Sequence, residues 1–81
     1  MNIQLIKGSF NTAEAIELVT QLINVKIQFH ENKISKTHSE EDIKMREGRI
    51  KQLYKELYDA RKHILSQNKN IAMESQIALT E

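Results

Sequence analysis

The chain has 81 residues, with 12 Lys plus Arg against 11 Asp plus Glu and a formal net charge of +1. It contains no Cys and no Pro, which excludes a disulfide scaffold, a thiolate metal site and a proline-rich or collagenous linker. No apolar run approaches a membrane span, and no basic stretch leading into an apolar core marks a secretory signal.

The expectation is therefore a soluble, cytoplasmic, single small domain without membrane association. Hydrophobic residues make up 40% and charged residues 28%, enough apolar content to fold. With no Pro and two Gly, little interrupts a helix, so the class is mainly α. A chain this short hides only about 60% of its unfolded surface, so a lone core is marginal. Without a disulfide or an evident metal, oligomerisation is the remaining staple.

Residues 1–10 read as an extended N-terminal segment in which Ile3 and Leu5 share one face. Gly8-Ser9 punctuates the chain. Asn11 then stands as a helix N-cap, with Glu14 at the reciprocal capping-box position and Phe10 placed to staple onto Ala15. Helix one is expected over about 12–34. Its apolar residues, Ala15, Ile16, Leu18, Val19, Leu22, Ile23, Val25, Ile27 and Phe29, spread over an arc of roughly 200°. One partner helix cannot cover so wide an arc.

Ser35 to His38 reads as a polar connector, short enough to make the helices antiparallel neighbours. Ser39 caps helix two, expected over about 39–66, and Glu40, Glu41 and Asp42 complement its dipole. Ile43, Ile50, Leu57, Ile64 and Ile71 recur every seventh residue, with Leu53 and Ala60 at d positions, as in a coiled-coil seam. Arg46, Gln67 and Glu74 occupy the other d positions. The polar run Gln67 to Asn70 ends the strong pattern, and residues 67–81 are expected to be a flexible or weakly helical tail. A turn centred near Lys36 and Thr37 sets Ile23 opposite Ile50, Ile16 opposite Leu57 and Lys26 opposite Glu47.

The fold class that follows is an antiparallel helical hairpin with a short N-terminal extended segment, dimerising into a four-helix bundle. The candidate dimer face is Leu18, Leu22, Val25 and Phe29 on helix one with Tyr54, Tyr58 and Leu65 on helix two.

Two polar constellations stand out. Lys26, His30 and Lys33 interrupt the apolar arc of helix one, with Arg46 and Glu47 expected nearby. They form either a cationic notch for a carboxylate or phosphate, or a paired set that fixes register. Lys44, Lys51, Lys55 and Lys62 fall within about 40° on helix two, a track suited to a phosphate backbone. Glu40–Lys44 and Glu47–Lys51 pairs would neutralise part of that track. The His residues, His30, His38 and His63, show no metal-ligand spacing, and no glycine-rich phosphate loop is present.

The functional expectation is a non-enzymatic protein–protein interaction module, homodimeric, with no cofactor and no metal. The tail from Ile71 to Leu79 is the expected docking segment for a protein partner. The alternatives are a nucleic-acid or ribosome-associated binder using the lysine track, and a small anionic-ligand binder or enzyme using the polar notch.

Overall fold

The computed structural model describes residues 1–81. Its elements are β1 (Asn2–Phe10), α1 (Thr12–Lys36), α2 (Glu40–Ser66) and β2 (Ile71–Ala78). The two helices pack as a hairpin, and the two strands pair antiparallel into a ribbon. The terminal segments thus meet, and Leu79 N–H donates to the Met1 carbonyl at 2.7 Å.

Helix α1 starts where its cap chemistry demands. The Glu14 N–H donates to Asn11 Oδ1 at 2.9 Å, and the Asn11 N–H donates to Glu14 Oε1 at 3.1 Å. Two otherwise unpaired N–H groups are satisfied reciprocally. Ser39 caps α2 through its Oγ, which accepts from the Asp42 N–H at 3.3 Å.

The end of α1 corrects the sequence expectation. The helix continues to Lys36, because Ser35 does not break it. The Ser35 hydroxyl instead donates back to the Asn32 carbonyl at 2.8 Å, and Lys33 and Lys36 complement the helix dipole. Only Thr37, His38 and Ser39 separate the helices, so the turn centres on His38. The register therefore slides by two to three residues from the expected one.

The seam between the helices is a heptad on both sides. On α2 Ile43, Arg46, Ile50, Leu53, Leu57, Ala60 and Ile64, and the C-cap Gln67 just beyond it, are all buried or half-buried. Every predicted a and d position up to Gln67 faces inward, the polar ones included. On α1 the matching stripe is Ile16, Thr20, Ile23, Ile27, His30 and Ile34, at alternating steps of four and three. Ile27 and Leu53 are buried at its centre, and Ala15 and Ile64 at the end nearer the ribbon.

Residues 71–78 are the larger correction. They form a strand, where a flexible or weakly helical tail is expected from sequence. Ile71, Met73, Ser75 and Ile77 alternate with Ala72, Glu74 and Gln76, the period of a strand, and β1 supplies the hydrogen-bonding partner. The seven-residue step from Ile64 to Ile71 is thus a coincidence of spacing.

Strand β1 carries a register irregularity between Gln4 and Ile6, leaving Leu5 without a pairing partner. Ile3, Ile6, Gly8 and Phe10 accordingly oppose Ile77, Ser75, Met73 and Ile71. The expectation that Ile3 shares a face with Leu5 fails for this reason. The bulge moves Ile6, not Leu5, to the side of Ile3.

The ribbon does not prolong the helix axis. A 27-residue helix followed by a nine-residue strand would span roughly 70 Å in line, whereas the longest dimension is 46 Å. The molecule is a bent layer of 46 × 32 × 13 Å.

Gly48 lies exposed inside α2, and a methyl group there would meet nothing within 4 Å. Gly48→Ala is expected to raise stability by about 0.5–1 kcal/mol by chemical denaturation, whereas Leu53→Ala in the seam should lower it by about 2 kcal/mol or more. A Gly48→Ala chain no more stable than the parent would show that this helix interior is not solvent-facing.

Candidate functional site

The polar notch forms around Arg46, a d residue of the α2 seam. Its guanidinium donates from Nε to Asp42 Oδ2 at 3.3 Å, one helical turn earlier, in the one ion pair of the chain. Its Nη1 lies 3.1 Å from His30 Nδ1. Arg has donors only, so His30 Nδ1 is the acceptor in this contact. The Phe29 ring completes the group, with its centroid 6.0 Å from Arg46 Cζ and 5.6 Å from Lys33 Nζ. His30 meets the same ring edge-on at 5.7 Å. Arg46 is thus held from both helices, and its charge is balanced by Asp42 and spread over an aromatic face.

The slid register explains which expected partners meet. His30 faces Arg46 across the seam, while Lys26 and Glu47 form no ion pair. Lys26 and His30 instead border an open cleft of about 210 Å³ with Arg49, Gln52, Leu53 and Glu56. Arg49, Gln52 and Glu56 escape the sequence reading. They recur three to four residues apart along one flank of the α2 seam, and that spacing is the signal that would have found them. The notch brings together Lys33, His30 and Arg46, places Lys26 in the adjoining cleft and leaves Glu47 exposed outside both.

Lys44, Lys51, Lys55 and Lys62 are all exposed, on the side of α2 away from the seam. The expected Glu40–Lys44 and Glu47–Lys51 pairs do not form. Exposed carboxylates and ammonium groups gain little from pairing in water, which leaves these side chains solvated. No three His, Asp or Glu side chains converge in the way that metal ligands do.

The apolar candidates form two surfaces, not one face. Leu22, Val25 and Phe29 are 38%, 65% and 54% exposed, and Leu18 is half-buried. They lie roughly 150° around α1 from the stripe that meets α2. Tyr54, Tyr58 and Leu65 are equally exposed and line a groove of about 450 Å³ with Leu57, Arg61 and Lys62. Every residue of that groove belongs to α2. The tail residues expected to dock a partner are paired with β1 within the chain, so they are not a free segment.

The fold and these surfaces define a helical hairpin closed by its own terminal strands, with apolar stripes on the outside. Comparison with protein-family models, curated proteins and solved structures found no match to this chain. No helix is long and apolar enough to cross a membrane.

An Arg in a seam otherwise lined by aliphatic side chains sets register more than it adds stability. Arg46→Met is therefore expected to leave the melting temperature unchanged or raise it, by replacing a half-buried charge with a side chain of similar length. A loss equivalent to more than about 1 kcal/mol would instead make the Asp42–Arg46–His30 group a net source of stability.

Proposed function

We propose that this chain is a non-enzymatic interaction module that self-associates, two copies forming a homodimer with a four-helix core. The observation that carries the reading is the exposed surface. The chain exposes 6564 Å², whereas a compact monomer of its mass exposes about 5,000 Å². The excess is roughly 1,500 Å² per chain, or about 3,000 Å² for two, within the size range of obligate homodimer interfaces.

Shape supports the same reading. The Cα radius of gyration is 15.2 Å, against about 12 Å for a compact domain of this length. Four of the 81 residues are buried. Stable domains bury apolar faces between two packed layers, and this chain supplies one. The polar groups of the notch are engaged with one another, which fits a register-setting role and not a reacting centre.

Sedimentation equilibrium at micromolar concentration should give twice the 9.5 kDa chain mass. A folded, compact monomer under those conditions would overturn the proposal.

A further inference from the structure

We infer that the homodimer is built through α1, which pairs antiparallel with α1 of the second copy along Leu18, Leu22, Val25 and Phe29. This inference rests on the self-association proposed above and assigns its seam. Three observations carry it.

The first is the spacing. The four residues follow steps of four, three and four, a coiled-coil half-seam separate from the one that meets α2. Such a stripe is self-complementary about a two-fold axis near Ile23 and Asn24. The axis sets Leu18 against Phe29 of the second copy, and Leu22 against Val25. A closed two-fold contact of this kind uses one patch twice and leaves no free end.

The second is a receptacle for the largest side chain. Phe10, Glu14, Glu17, Leu18 and Gln21 line a shallow groove of about 310 Å³ at the N-terminal end of the stripe. In the antiparallel register this groove lies opposite Phe29 of the second copy. Phe29 is 54% exposed in the single chain, and the pairing gives it a hole of the kind that knobs fill in helix packing.

The third is charge. Same-side flanks meet across an antiparallel pair. Glu14 then faces Asn32 of the second copy, and Lys33 faces the turn carrying Ala15, so no like charges are opposed. Lys44, Lys51, Lys55 and Lys62 lie on α2, clear of the contact. The stripe lies on a different side of α1 from the seam, so joining two copies there gives α1 an apolar neighbour on a second side. That arrangement accounts for the wide apolar arc that one neighbour cannot cover.

The chain lacks Cys, so introduced thiols report without background. In the proposed register the two copies of residue 25 lie about 5 Å apart along the helix axis, and those of residue 29 roughly 16 Å apart. Val25→Cys should therefore cross-link to itself with a short bis-maleimide. Phe29→Cys should not, but a mixture of Phe29→Cys with Leu18→Cys chains should give the mixed dimer. Leu22→Glu combined with Val25→Glu should weaken association roughly a hundredfold, so that the helical circular dichroism is lost on dilution at about a hundredfold higher concentration than in the parent.

A monomeric parent chain in sedimentation removes both this seam and the self-association reading. A dimeric parent with Phe29→Cys cross-linking to itself, with no mixed product, or with the double Glu variant still dimeric overturns this seam alone. The last result would direct the contact to the Tyr54–Leu65 groove.

Discussion

The heptad seam between α1 and α2 is the interaction on which the rest of the molecule depends. It sets the hairpin register, and through the register it decides that His30 meets Arg46 while Lys26 lines a cleft. Two helices in contact, however, bury only one stripe each. Four residues of the chain are buried, so there is little interior beyond the seam itself. The apolar groups outside the seam are consequently left in water until another layer covers them.

The ribbon is the chain's own partial answer to that deficit. Ile3, Ile6, Phe10, Ile71 and Met73 lie on one side of the two strands and are half-buried there. Ala15 and Ile64, at the end of the hairpin nearer the strands, are among the most buried residues. The opposite side carries Asn2, Gln4, Lys7, Glu74 and Gln76, so the ribbon is amphipathic like the helices. A two-stranded ribbon alone has little stability in water, so it depends on the helices as they depend on it. The same arithmetic of surface underlies the proposed second copy: each element has one covered side and one that is not.

The helices were legible in sequence because their signals are local. Asn11 with Glu14, Ser39 with its acidic first turn, and the seven-residue recurrence from Ile43 to Ile64 each specify an element without reference to the rest of the chain. The seam on α1 was less visible, since Thr20 and His30 occupy two of its positions and Leu18, Leu22, Val25 and Phe29 widen the apolar arc around it. Strand β2 was hidden for a different reason. Its alternation is diluted by Ala72, Ser75 and Ala78, and what makes it a strand is β1, more than sixty residues earlier in the chain. The bulge at Leu5 cannot be read from one strand, because it exists only in the pairing. In the notch, residue types were readable but partners were not. Continuing α1 from Ile34 to Lys36 moves the turn, sets Arg46 opposite His30 and parts Lys26 from Glu47.

If the flat layer is half of a core, folding and association are one equilibrium, and stability depends on how much chain is present. The most direct measurement is the denaturant midpoint of unfolding across a hundredfold range of protein concentration. The account predicts a midpoint that rises steadily with concentration, with helix and ribbon signals lost together. A midpoint independent of concentration, with full helical signal at the lowest dilution, would contradict it.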